Sequence, residues 1–215
     1  MDFTVIDVGL VAKLLLLLLI GMGPKIALVP FLEMTQKFDA ETKAKIGRQM
    51  VLTGVVTALI LFASGAILMR LLHITGGAVA VAGGIVLALL ALKMAAGPIE
   101  KHDEDLGALV DPAKIAVFPL AVPYMLNPVG ITILIIASGE VVSIASAALV
   151  VALVLLVAAF DYVVFTNIDA LAKHMKPASL VISEVVFGIL LTAVAVQLFV
   201  SGLGGLGIIA KSTAH

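Results

Sequence analysis

Long apolar stretches alternate with short polar ones along this chain, and two of the apolar stretches are interrupted by proline. Six stretches, near residues 8–33, 49–71, 75–97, 114–138, 142–167 and 178–203, each reach the roughly 20 residues needed to cross a bilayer core. The pattern therefore predicts six transmembrane helices. Gly23-Pro24 interrupts the first and Asn127-Pro128 the fourth, where Pro119 and Pro123 add further breaks. Proline lacks the N–H that a helix interior uses, and the residue before it avoids the helical region. Broken backbone at membrane depth survives only where protein or a cavity satisfies it.

Three polar segments separate the spans. The first, Gln36–Arg48, carries Glu41 and Lys45 at the spacing of a helical ion pair. A second, Pro98–Pro112, holds Glu100, Lys101, His102, Asp103, Glu104 and Asp105, and the third holds Asp169, Lys173, His174 and Lys176. Lys37, Lys43, Lys45, Arg48, Lys93, Lys101, Lys114, Lys173 and Lys176 fall on this side, against Lys13, Arg70 and Lys211 on the other. Basic residues concentrate in cytoplasmic loops, so the polar loops are expected in the cytoplasm and both termini outside. Asp2 and Asp7 stand where a signal peptide would be basic, so residues 8–33 read as a retained span.

The breaks repeat. Pro24 and Pro128 are 104 residues apart, and the same offset carries Gly84-Ile85 onto Gly188-Ile189. Residues 1–104 and 105–215 then form two three-span repeats within one integral membrane domain. An odd number of spans per half makes the second enter from the opposite side, which predicts an inverted-topology repeat. Paired broken helices in corresponding positions point to a transporter's binding site.

Composition narrows the chemistry. The chain is 62% hydrophobic and 13% charged, with a mean hydropathy of +1.26. A net charge of -1 argues against a nucleic-acid partner. The absence of Cys removes disulfides and thiolate chemistry, and the acidic loop around His102 lacks metal-ligand spacing. No catalytic constellation is visible, so the expectation is a non-enzyme without cofactor or metal.

The candidate site residues are Gly23, Pro24 and Lys25 at the first break, with Asn127, Pro128 and Gly130 at the second. A half-helix starting at each break presents N–H groups suited to a carboxylate, while freed carbonyls suit an ammonium group. An amino acid zwitterion offers both charges. Asp161, deep in the fifth span, has three readings: a counter-ion to Lys25, a structural partner, or a proton or ion relay. Lys25 could equally hold a substrate carboxylate or snorkel. Glu33, Glu140 and Glu184 are read as solvated near the interfaces.

The words Gly23-Pro24-Lys25-Ile26-Ala27-Leu28-Val29-Pro30-Phe31-Leu32, Ile74-Thr75-Gly76-Gly77-Ala78 with Ala82-Gly83-Gly84-Ile85, and Pro119-Leu120-Ala121-Val122-Pro123 with Asn127-Pro128-Val129-Gly130 occur in order over nearly the whole chain. Together they resemble the MarC family, a six-span neutral amino acid transporter family related to LysE-type exporters. The resemblance implies an inner-membrane or archaeal plasma-membrane protein with inverted repeats that carries small neutral amino acids such as glycine and alanine. Pro24, Asn127, Pro128 and Gly130 carry over best. Many such sequences have Asn-Pro or Asp-Pro at the first break, where this chain has Gly23-Pro24-Lys25.

The expected function is a secondary transporter, in one direction or the other, for small neutral amino acids or similar metabolites. Its partners would be the substrate, a coupling H+ or Na+ and the lipid bilayer, with homo-oligomer formation left open. The alternatives are an ion channel using Lys25 and Asp161, and a non-transporting scaffold with a closed, dry interior at the breaks. On the transporter reading, Asn127→Ala should lower transport while the protein still folds.

Overall fold

The computed structural model describes residues 7–96, 111–172 and 177–209. The acidic loop Glu100–Asp105, the loop residues Lys173, His174 and Lys176, and the side chain of Glu184 lie outside the described residues. Every described element is helical: α1 (Val8–Met22), α2 (Pro24–Met34), α3 (Ala40–Leu71), α4 (Gly76–Ala95), α5 (Pro112–Ile115), a proline segment (Ala116–Met125), α6 (Pro128–Glu140), α7 (Ile144–Thr166), α8 (Ile168–Ala172) and α9 (Pro177–Gly205). Five described helices are long and apolar enough to cross a membrane, α1 and α2 counting as one span of 27 residues. The bent pair Pro112–Met125 and Pro128–Glu140 makes a sixth when taken as one span.

The outer faces are apolar, as lipid requires. On α3, Leu52, Val56, Ile60, Ile67 and Leu71 are all exposed, at spacings that keep them on one side of the helix. Leu155, Leu156, Phe160 and Val163 do the same on α7. An uninterrupted apolar surface of this kind is foreign to soluble monomers.

One element departs from the expected pattern, and the expected break in the fourth span takes a particular form. The polar segment from Ala40 to Arg48 is the opening of the long helix α3 rather than a loop. Asp39 stands at its N-cap position with extended backbone, Glu41 occupies the first turn, and Lys45 Nζ meets Glu41 Oε1 at 2.7 Å. The fourth span is no simple kinked helix. Phe118 (φ -136°, ψ 128°) and Val122 (φ -135°, ψ 123°) are extended, as residues before proline prefer. Both X–Pro bonds there, Phe118–Pro119 and Val122–Pro123, are cis. At Asn127 the chain turns, and α6 leaves at 71° to the segment before it.

Three apolar clusters hold the helices together. The first joins α1 to α6 and α7 through Leu14, Leu18, Met22, Leu126, Leu134, Val154 and Val157. In the second, Phe31, Met50, Leu120, Ala121, Met125 and Phe165 pack α2, α3 and the proline segment onto the end of α7. The Phe31 and Phe165 rings meet there at 5.1 Å between centroids. The third cluster, around Ile26, Leu87, Val129, Ile133 and Leu191, ties α4 and α9 to α6.

α4 and α9 run antiparallel at close range. A Cβ placed on Gly84 would lie 2.9 Å from Ala195 O and Phe199 N, and one on Gly188 would lie 2.9 Å from Ala91 O and 2.8 Å from Ala95 Cα. These contacts are reciprocal at the 104-residue offset, because Ala195 and Phe199 are the counterparts of Ala91 and Ala95. The starts of α2 and α6, and of α3 and α7, stand at the same offset.

Replacing Gly188 with Leu should force α4 and α9 apart. Overpacking of this kind is destabilising by about 1–3 kcal/mol. A Cβ on Gly76 meets nothing nearer than 3.8 Å, so Gly76→Ala should be close to neutral. Thermal unfolding of the two variants in detergent, compared with the parent, checks this; equal melting temperatures would refute the close-approach argument.

Candidate functional site

The two breaks are joined to each other. Pro24 has no N–H, so the carbonyl of Ile20, four residues back, loses its helical donor. Asn127 supplies the replacement from the other half of the chain: its Nδ2 donates to Ile20 O at 2.6 Å. Its backbone N–H donates to the next carbonyl, Gly21 O, at 2.9 Å. The last turn of α1 is completed by Gly23 N–H donating to Leu19 O at 2.9 Å.

The same Asn127 starts α6. Its Oδ1 accepts from Val129 N–H at 2.9 Å and Gly130 N–H at 3.4 Å, which caps the helix opened by Pro128. One buried carboxamide thus serves donors of one broken helix and an acceptor of the other. The N-terminus of α6 is consequently engaged, not free as expected from the break alone. α2 differs: Gly23, at its N-cap, has no side chain to offer.

Glycine allows the breaks to touch. A Cβ on Gly21 would lie 2.5 Å from Gly130 N, and one on Gly130 would collide with Gly21 O. The joint is backbone against backbone, enclosed by Leu18, Met22, Leu126 and Val129, all buried. In this arrangement the space between the breaks is closed.

Lys25 faces away from the joint. Its Nζ lies 4.3 Å from the centre of the Phe187 ring on α9, a cation–π contact. Lys25, Ile26, Val29, Met94, Ser183 and Phe187 line a groove of about 230 Å³. This places a fixed positive charge beside the uncapped start of α2.

Asp161 is elsewhere. It is fully buried on α7, and neither carboxylate oxygen has a hydrogen-bond partner among the described residues. The suggested Lys25–Asp161 ion pair is therefore not formed, since the two groups belong to different surroundings. Glu33 is exposed, as read, whereas Glu140, also read as solvated, is half-buried with one carboxylate oxygen out of solvent contact. No group of acidic or histidine side chains among the described residues is arranged to hold a metal ion.

Asn127, Pro128 and Gly130, singled out from the sequence, lie together in the fold, and the structure sets Gly21 and Ile20 beside them. Ile20 was missed because its contribution is a carbonyl, common to every residue. Its signal was present nonetheless: a proline at position 24 orphans the carbonyl at position 20.

The geometry alters the expectation for Asn127→Ala. Removing the carboxamide uncaps α6 and strands a buried acceptor, which together should destabilise the protein by about 2–4 kcal/mol. Asn127→Ser should recover part of this, because serine caps α6 but is too short to reach Ile20. Denaturation of the purified variants decides; parent-like stability of Asn127→Ala would show that the bridge contributes little.

A model of the MarC family of integral membrane proteins matches residues 8–206. A UPF0056 membrane protein of Methanocaldococcus jannaschii is 26% identical over 186 residues, covering 86% of this chain and 91% of the relative. Another from the same organism is 29% identical over 186 residues, with coverage of 84% and 81%. A UPF0056 membrane protein of Pyrococcus abyssi is 23% identical over 206 residues, 94% of each chain. No solved structure matches. The family match extends from the first residue of α1 to just beyond α9 and takes in both breaks, so the chain belongs to the MarC family of integral membrane proteins.

Proposed function

We propose that this protein is a secondary transporter of small neutral amino acids or similar small metabolites in the plasma membrane, loading its substrate where the two broken helices meet. The observation that carries the reading is the bonding of Asn127. Its Nδ2 stands on a carbonyl of α1, and its Oδ1 stands on two N–H groups of α6. An amino acid zwitterion needs the same two kinds of partner, acceptors for its ammonium and donors for its carboxylate. On this reading the carboxamide satisfies the site while it is empty, and substrate replaces it when the halves part. Gly21 and Gly130 keep side-chain bulk out of the joint, which suits a small cargo when the halves part.

The reciprocal packing of α4 and α9 supports two halves of opposite orientation, the architecture in which one half rocks against the other. Lys25, in its separate groove, would attract a substrate carboxylate on its way to the joint. A channel that runs through Lys25 and Asp161 gains no support, because the two groups do not meet. A closed joint is also what a non-transporting scaffold would have, and flux separates the two.

The test is uptake of labelled glycine, alanine and serine into liposomes holding the purified protein, under proton and sodium gradients in turn. Saturable uptake is expected for at least one of them. Failure of all three under both gradients would sink the amino acid reading. Lys25→Gln should raise the KM by about tenfold, the loss of about 1.4 kcal/mol, with little change in melting temperature. An unaltered KM would remove Lys25 from the site.

A further inference from the structure

We propose that Asp161 is the proton-carrying group of this protein, loading a proton on its carboxyl in the closed arrangement and releasing it when the helices around it part. The proposal rests on the transporter reading and names the coupling ion that the reading leaves open.

The side chain is fully buried and both oxygens lack a hydrogen-bond partner among the described residues. It lies on the α7 stripe that contains Val154, Val157, Ala158 and Phe165, all buried. Val154 and Val157 belong to the cluster around α1, whereas Ala158 and Phe165 belong to the cluster around α2, α3 and the proline segment. Asp161 therefore lies within the second packing unit, one turn from its border with the first at Val157 and Ala158. Val122, the extended residue before Pro123, packs against both of those units. A carboxyl so near that border changes surroundings whenever the units separate.

Among the described residues no counter-charge reaches it. The elements packed against α7 are α1, α2, α3 and α8, with α6 and the proline segment joined to it through the two clusters. Their charged groups are Lys13 on α1, Lys25 and Glu33 on α2, Glu41, Lys43, Lys45, Arg48 and Arg70 on α3, Glu140 on α6 and Asp169 on α8, and the proline segment adds the phenol of Tyr124. The cations are all exposed except Lys43, which bonds Asp169 at 2.9 Å. An uncompensated carboxylate in such a place carries a penalty of several kcal/mol. Sodium would need a shell of oxygen ligands, and none stands within bonding distance of the carboxylate among the described residues. The species these surroundings accommodate is the uncharged acid. The end of α7 at Thr166 is five residues on, about 8 Å along the helix, and is the nearer end for a proton to leave by. On release the O–H bond breaks, the proton passes to water and the carboxylate keeps the electron pair.

Dicyclohexylcarbodiimide tests this directly, since a buried acid adds its O–H across the reagent's C=N bond and retains the whole reagent as a covalent mass. The purified wild-type protein is treated in liposomes and mapped by mass spectrometry. The expected result is a label on Asp161 that is lost in Asp161→Asn. Treatment should also abolish the acceleration of glycine, alanine or serine uptake by an inward proton gradient, and Asp161→Asn should lose the same response. No label on Asp161, or wild-type uptake driven by sodium and indifferent to the proton gradient, would overturn the proposal. Labelling is read without substrate. It therefore stands or falls even if none of the three amino acids is the cargo, and if Asp161→Asn does not fold, the treated wild type gives the same answer.

Discussion

The structure depends on where one backbone carbonyl finds its partner. Pro24 withdraws the donor that Ile20 O would have had, at a depth where lipid offers nothing in return. Asn127, more than a hundred residues later in the chain, supplies that donor. Because the same side chain also caps α6, the end of one broken helix and the start of the other are held by a single carboxamide. The direct contact of Gly21 with Gly130, the burial of Leu126 and Val129, and the sharp departure of α6 follow from that junction.

Around the junction the packing divides into units that meet without interlocking. The cluster on α1 and the cluster on α2 share Val122 at the proline segment and the stripe of α7 that carries Asp161. Asp161 lies in that stripe one turn from where the two clusters meet, with no hydrogen-bond partner among the described residues. Elsewhere the contacts are tighter. Along α4 and α9 paired glycines bring the helices to backbone distance.

Much of this could be read from residue order. The six apolar stretches and their polar separators correspond to the helices, and both proline breaks fall where helices end. One misreading has a local cause. The segment from Ala40 to Arg48 looked like a loop because it is polar, yet its charges sit at helical spacing, and polarity marks only where α3 leaves the bilayer. The fourth span was read as broken by its prolines, but hydropathy is blind to the backbone angles that replace the helix there. Successive prolines at positions 119 and 123 drive Phe118 and Val122 into extended conformations.

Sequence alone determined that this is a helical membrane protein with breaks at Pro24 and Pro128, since spanning lengths, apolar composition and the missing proline N–H are properties of the chain itself. It also singled out Asn127 and Asp161 as polar groups that needed a reason to be where they are. Only the tertiary structure decided what those reasons are. Lys25 and Asp161 are both ionisable groups in apolar spans, and charge by itself made them plausible partners. The folded chain instead sets Lys25 over Phe187 and leaves Asp161 among apolar side chains. Which carbonyl takes the Asn127 amide, and which acid goes without a partner, are set by how helices distant in sequence pack, and no local pattern carries that information.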